Sequence, residues 1–140
     1  MVSGIVTTSA TVGSQTDAQL AFLSYPEGSA YTRGSRALAV AEVAGSSFYR
    51  ARFTASERDW FIYLPAARRQ YTVPSSLPAG LTDRSSGSLE IQAIGLSGNK
   101  TLDDVVSFDS TNLDNLIEII NRYSVLPCAS ASSATGCVVQ

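Results

Sequence analysis

The chain has 140 residues, a formal net charge of −2, 16% charged residues and 44% hydrophobic residues. This length suits one domain with its own core, and the hydrophobic content excludes disorder along the whole chain. The ten basic residues are scattered and form no stripe that would displace counterions from phosphates, so we expect no nucleic-acid partner. No apolar run approaches the roughly 18 residues that a membrane span needs.

The start of the chain bears on where the protein works. Residues 1–4 show neither the basic nor the apolar region of a signal peptide. Two interpretations follow: a cytosolic protein, or a sequence that begins at the mature domain with Met1 added. We expect the second, which leaves room for a lipid anchor upstream of Met1.

Two cysteines, Cys128 and Cys137, enclose an Ala/Ser-rich stretch. A disulfide between them would close a loop of about ten residues, stabilise the fold by roughly 2–3 kcal/mol and hold residues 138–140 on the body. The alternative is a metal pair, but two thiols in a chain without histidine make a poor zinc site. The sequence therefore predicts a disulfide and an extracytoplasmic location, in the cell envelope or secreted.

Strand-like segments recur along the first hundred residues, separated by turn residues. The clearest alternation is at residues 47–54, where Phe48, Arg50 and Arg52 share one face and Tyr49, Ala51 and Phe53 share the other. The other predicted strands are residues 4–8, 18–25, 36–43, 60–64, 70–73, 88–96 and, at an edge, 105–108. We expect residues 60–64 to be central, and Gly45-Ser46 to form a hairpin between the strands on either side.

The apolar period changes from two to that of a helix near the C-terminus. The residues at helical spacing are Leu113, Leu116, Ile117, Ile120 and Tyr123. Thr111 followed by Asp114 resembles a capping box, so we predict a helix over residues 112–123. The predicted fold is mainly β: an antiparallel β-sandwich of about 7–8 strands over residues 1–127 with this one C-terminal helix, followed by a disulfide-closed tail at 128–140.

The chain lacks the residues of most catalytic sites. Without histidine, the commonest general base and the partner of a serine nucleophile are both absent. We therefore predict no enzyme, no catalytic residue and no cofactor. An acid-pair hydrolase is the remaining catalytic alternative, with candidate carboxylates at Glu57 and Asp59 and at Asp103, Asp104 and Asp109.

Residues 97–104 give a weak calcium-loop candidate, with oxygen ligands at Asn99, Asp103 and Asp104. Such a loop needs carboxylates at alternating positions, and Lys100 would oppose a cation. We therefore predict no metal.

Arginines and aromatic residues define the candidate ligand or partner surface. Arg50 and Arg52 share a strand face and, with Arg68 and Arg69, could bind an anion, although such arginines more often pair with carboxylates or stay solvated. Trp60 is expected in the core. The predicted surface residues are Arg50, Arg52, Tyr49, Tyr63 and Tyr71.

Several short segments carry a resemblance to a known family. They are Val2-Ser3-Gly4-Ile5-Val6, Val40-Ala41-Glu42-Val43, Ser47-Phe48-Tyr49, Leu77-Pro78-Ala79-Gly80-Leu81, residues 88–95 and the loop at Asn99. Together they resemble the carboxypeptidase-regulatory-like or transthyretin-like sandwich domains of bacterial envelope lipoproteins and surface proteins, found especially in the Deinococcus group. The resemblance implies a spacer, an adhesive module or a part of a surface assembly.

The leading hypothesis is a non-enzymatic structural or protein-interaction module of the bacterial cell envelope, with other envelope or surface proteins as partners. The alternative is a carbohydrate or small-ligand binding module that uses the arginines and exposed tyrosines. Fold class alone does not decide between them.

Overall fold

The computed structural model describes residues 1–5, 22–55, 58–75, 88–106, 119–130 and 137–140. Within them, strands dominate and the single helix is short, so the prediction of a mainly β fold is confirmed. In chain order the elements are β1 (Val2–Ile5), β2 (Ala30–Thr32), β3 (Ala37–Ala39), β4 (Phe48–Ala55), β5 (Arg58–Pro65), β6 (Gln70–Thr72), β7 (Ser88–Leu96), α1 (Leu102–Val106), β8 (Ile120–Ser130) and β9 (Cys137–Val139).

The described strands form one sheet, so the prediction of a two-sheet sandwich is wrong. The order is β5-β4-β7-β8-β9-β2-β3-β6, with β1 added to β8. β5 and β6 lie at opposite ends of this order, yet only residues 66–69 connect them. Flat, eight strands would span about 34 Å, whereas that connection reaches about 18 Å at most. The sheet therefore curls into an open half-barrel.

The main core fills the interior of the curl. Side chains from distant parts of the sheet meet there, including Tyr31 from β2, Leu38 from β3, Phe53 from β4 and Ile62 from β5. The rings of Tyr31 and Phe53 pack edge to face with centroids 5.2 Å apart. One hydrophobic interior shared by both ends of the sheet stabilises the curled form over a flat one.

A second, smaller apolar cluster lies on the outer face. Phe48, Ile94 and Leu96 are buried there, and Leu102 and Val105 of α1 pack against them. The helix therefore covers one end of the outer face of β4 and β7. The predicted edge strand at residues 105–108 is wrong for Val105 and Val106, which belong to α1; residues 107–108 lie outside the described residues.

The predicted helix over residues 112–123 is wrong at its C-terminal end. Residues 112–118 lie outside the described residues, but Ile120 begins β8, which pairs antiparallel with β7. Ser124 and Leu126 face the core, and Tyr123 belongs to the outer cluster. The two-residue alternation of this strand thus overlaps with the helical spacing of apolar residues. The helical spacing of apolar residues could not show that β7 provides backbone hydrogen-bond partners for this segment.

Four further expectations about strands need correction. β3 pairs with β2 and β6, and β4 with β5 and β7, so the hairpin at Gly45-Ser46 does not form. Among the described strands, β5 lies at an edge of the sheet and not at its centre. Only Ala37–Ala39 of residues 36–43 is strand, and residues 22–25 are irregular. Residues 6–8 and 18–21, at the ends of two predicted strands, lie outside the described residues.

The C-terminal strand joins the two halves of the sheet. β9 runs parallel to both β8 and β2, and Cys128 of β8 is bonded to Cys137 of β9. β1 occupies the same side of β8 further along, opposite residues 122–125. Pro127, which has no N–H to donate, lies between the stretches of β8 that β1 and β9 pair with. The predicted disulfide is confirmed, and it crosslinks two paired strands of the sheet.

Candidate functional site

The outer face of β4, β5 and β7 brings together three of the five predicted surface residues. Because side chains alternate along a strand, Arg50 and Arg52 point away from the core. Arg50 lies opposite Tyr63 on β5, and Arg52 lies opposite Phe61. Phe61 and Tyr63 are each 39% exposed. We call Arg50, Arg52, Phe61, Tyr63, Glu90 and Gln92 the outer-face cluster.

One end of the cluster is an ion pair. Arg52 Nη2 lies 2.6 Å from Asp59 Oδ2, and Thr54 Oγ1 donates to Asp59 Oδ1 at 2.7 Å. Hydrogen bonds from Arg52 and Thr54 hold the pKa of Asp59 below its usual range, and the bond to Asp59 raises the pKa of Arg52. Arg52 is thus already paired with a carboxylate of its own chain.

Arg50 is held differently. Its guanidinium lies over the ring of Phe61, 5.2 Å from the centroid, and its Nε donates to Gln92 Oε1 at 2.8 Å. Gln92 in turn donates to Glu90. In the part of the chain that the structure describes, no carboxylate forms an ion pair with Arg50. A stacked, oriented guanidinium keeps its terminal N–H groups available to a ligand oxygen.

A pocket of about 260 Å³ opens beside Arg50. It is small compared with sites for drug-sized ligands, so it suits one ring or one side chain. Its wall combines the polar groups of Arg50 and Gln92 with apolar atoms. The lining residues are Arg50, Gln92, Ile94, Ile120, Tyr123 and Val125.

The other two predicted tyrosines lie elsewhere. Tyr49 is 1% exposed in the core, where its hydroxyl accepts the Val43 N–H at 2.8 Å and lies 2.9 Å from Ser46 Oγ. Tyr71 on β6 packs against the core as well. Tyr49 is therefore not a surface residue, and Tyr71, which is half-buried on β6, lies outside the outer-face cluster. Strand alternation already placed Tyr49 with Ala51 and Phe53, which was the signal to exclude it.

Three residues of the cluster, Phe61, Glu90 and Gln92, were not among the predicted surface residues. Phe61 alternates with Trp60 and Ile62, so a signal existed: Trp60 is half-buried against the core and Phe61 must face outward. Gln92 gave no signal, because its role depends on the register that sets it beside Arg50.

Larger cavities lie along β3 and β6, away from this cluster. One of them, about 570 Å³, includes the predicted arginines Arg68 and Arg69 in its wall. Arg69 forms an ion pair with Glu42, so the expected anion patch is partly neutralised there. The other lining residues of this cavity are Ala39, Val40, Ala67 and Gln70. The outer-face cluster offers more side chains oriented by hydrogen bonds.

The carboxylate candidates are scattered. Asp104 accepts the N–H and the hydroxyl of Thr101, and these hydrogen bonds lower its pKa. Asp104 therefore caps the start of α1, and Lys100 Nζ lies 3.8 Å from it. Asn99 and Asp103 are exposed nearby, and among the described residues no three acidic, cysteine or histidine side chains form a metal-binding group. Glu57 and Asp109 lie outside the described residues.

Comparisons with protein-family models, curated proteins and solved structures found no match. The resemblance to carboxypeptidase-regulatory-like and transthyretin-like domains thus stays a prediction. In the described part of the chain, no helix has the length and apolar character needed to span a membrane. The disulfide indicates an oxidising, extracytoplasmic environment.

Proposed function

We propose that this chain is a non-enzymatic structural or protein-interaction module of the bacterial cell envelope. The observation that carries the proposal is the Cys128–Cys137 disulfide, which fastens the strand that joins the two halves of the sheet. Bonds of this kind form and persist in oxidising compartments such as the periplasm and the cell surface. The sequence resemblance to envelope domains supports the same setting.

The outer-face cluster is the surface proposed to contact partners. It exposes Phe61 and Tyr63 beside two arginines, and aromatic residues and arginine are the types enriched at protein interfaces. The charges of the cluster and its neighbour Asp59 balance, because Arg50 and Arg52 are offset by Glu90 and Asp59. A charge-balanced aromatic surface favours a protein partner over a strongly charged polymer.

The location is tested by trapping thiols in intact cells with an alkylating reagent, followed by fractionation. We expect the protein in the envelope fraction, with alkylation of both cysteines only after reduction. Free thiols in a cytoplasmic protein would overturn the proposal.

The contact surface is tested with a photoreactive phenylalanine at position 63 in one variant and at exposed Thr72 in a matched control. The proposal requires adducts with envelope proteins from position 63 and none from position 72. Equal labelling from both positions, or none from either, would count against it.

A second candidate, a carbohydrate-binding module, is favoured by the 260 Å³ pocket beside Arg50 and Gln92. Planar polar side chains that hydrogen-bond one another and an adjacent tyrosine ring can orient a sugar by its hydroxyls and its apolar face. Isothermal titration with neutral and uronic-acid oligosaccharides tests this. Binding should fall at least tenfold in Gln92→Ala and stay unchanged in Arg69→Ala; no binding by the wild type up to millimolar concentrations would exclude it.

A further inference from the structure

β5 carries the longest free strand edge in the described residues. It pairs with β4 on one side and with no other described strand. Ala66 N–H donates to Ser47 O, which orients the backbone of residue 66 toward β4. Since strand N–H and C=O groups alternate in direction, those of Asp59, Phe61 and Tyr63 point away from β4.

The two ends of this edge are protected, but its middle is not. Asp59 contributes a charge at one end, and Pro65 contributes no N–H at the other. Charges and prolines of this kind are common on edges that must not pair at random. Between them, Phe61 and Tyr63 present partly exposed rings and backbone groups that pair with no other described strand. Such an edge favours a short pairing over a long one.

We propose that β5 pairs antiparallel with β5 of a second copy of this chain, with Phe61 on the two-fold axis. In this register Phe61 faces Phe61 of the second copy, and Asp59 faces Tyr63 of the second copy. All three outward N–H groups on each chain then find a carbonyl acceptor, which gives six hydrogen bonds between the strands. A shift of the axis to Ile62 would put Pro65 opposite Asp59 and leave an acceptor without its donor.

The charges and the packing also fit a second copy. No like charges face each other in this register, since Asp59 meets a tyrosine ring and its hydroxyl while it keeps its own ion pair with Arg52. On the inner face, Trp60 lies opposite Ile62 of the second copy. Trp60 is only half-buried against Phe53 and the core, so pairing extends the core across the axis.

This inference names a partner for the proposed interaction module, and it rests on that function only for its biological setting. Self-pairing is a property of the purified chain and is measured without any envelope component. A monomeric protein that still forms adducts with envelope proteins would refute the self-pairing alone. A dimer found in the cytoplasm would refute the envelope function alone.

The experiment compares Phe61→Cys with Tyr63→Cys in protein whose native disulfide is intact. The two positions are equally exposed. On the axis, the Cα atoms of residue 61 in the two chains lie about 5.5 Å apart, within disulfide range, whereas those of residue 63 lie about 14 Å apart. We therefore expect Phe61→Cys to form a covalent dimer under mild oxidation, at a rate at least tenfold above that of Tyr63→Cys.

Sedimentation of the wild type provides the second readout. The mass should rise toward that of a dimer with concentration. Phe61→Lys should stay monomeric, because it sets two cations against each other on the axis, and a cooperative thermal transition should show that it still folds. A wild type that is monomeric at millimolar concentration, or equal crosslinking at positions 61 and 63, would overturn the proposal. Binding of an unrelated extended peptide to the edge of such a monomer would identify a different occupant.

Discussion

Loss of the Cys128–Cys137 bond should destabilise the whole sheet and not only its tail. The bond closes a loop with a sequence separation of 9. In the chain-entropy model, a loop of this size is worth about 2.6 kcal/mol at 25 °C. For a domain of this length, that corresponds to a fall in melting temperature of about 8–10 °C.

The structural consequence follows from the position of β9. Val138 N–H donates to Ser29 O and Gln140 N–H donates to Tyr31 O, so these bonds tie β9 to the β2 side. If β9 detaches, the strands β5, β4, β7 and β8 separate from β2, β3 and β6. Amide exchange should accelerate first at these two N–H groups, and then along β2.

The assay is urea unfolding of wild type and of Cys128→Ala/Cys137→Ala, each with and without reductant. Reductant should lower the free energy of unfolding of the wild type by about 2.6 kcal/mol and leave the double variant unchanged. The reasoning fails if reduction costs the wild type less than about 0.5 kcal/mol, since β9 would then hold its place without the crosslink.

Three further outcomes follow from single contacts. Gly4→Ala places a Cβ 2.5 Å from Tyr123 Cε1, so the ring must move, and chemical unfolding should show a loss of about 1–3 kcal/mol. Tyr49→Phe removes the hydroxyl that accepts the Val43 N–H in the core, at a cost of about 1–3 kcal/mol by the same assay. The folded-state pKa of Asp59 is lowered, so its contribution to stability is present above the unfolded pKa near 4 and is lost as pH falls through and below it. The melting temperature should therefore fall in acid less steeply in Asp59→Asn than in the wild type.

Each of these outcomes has a matched control. Gly34→Ala adds a Cβ with nothing within 4 Å and should change stability by less than about 0.5 kcal/mol. Tyr63→Phe, at an exposed position, should likewise change stability by less than about 0.5 kcal/mol. Arg52→Gln should raise the Asp59 pKa toward its usual value in a carboxyl NMR titration, and an unmoved pKa would remove Arg52 as the cause.

The local sequence pattern predicted correctly which side chains of a single strand face the core. In β4, Tyr49, Ala51 and Phe53 are buried and Arg50 and Arg52 are not, as alternation predicted. The predicted strand at residues 88–96 likewise matches β7 (Ser88–Leu96). The two cysteines predicted their bond, because two thiols in a chain without histidine make a poor zinc site.

The candidate site was only half predictable for a related reason. Arg50, Arg52 and Tyr63 were identified as residue types, and each proved to lie on the outer face. Their grouping with Gln92 needed the pairing of β4 with both β5 and β7, which joins residues 42 positions apart. Pairing between residues so far apart in the chain cannot be inferred from the sequence around either of them.

Composition, alternation and the cysteines by themselves determined a mainly β domain with a crosslinked C-terminus and a set of outward arginines. Only the tertiary structure decided that the strands form one curled sheet, that β5 lies at its edge, and that residues 120–123 extend a strand. The physical reason is that side-chain periodicity is a local property, whereas strand partners are chosen by competition among all available edges. From Ile120 onward the segment pairs with β7 as a strand, although the spacing of its apolar residues is that of a helix.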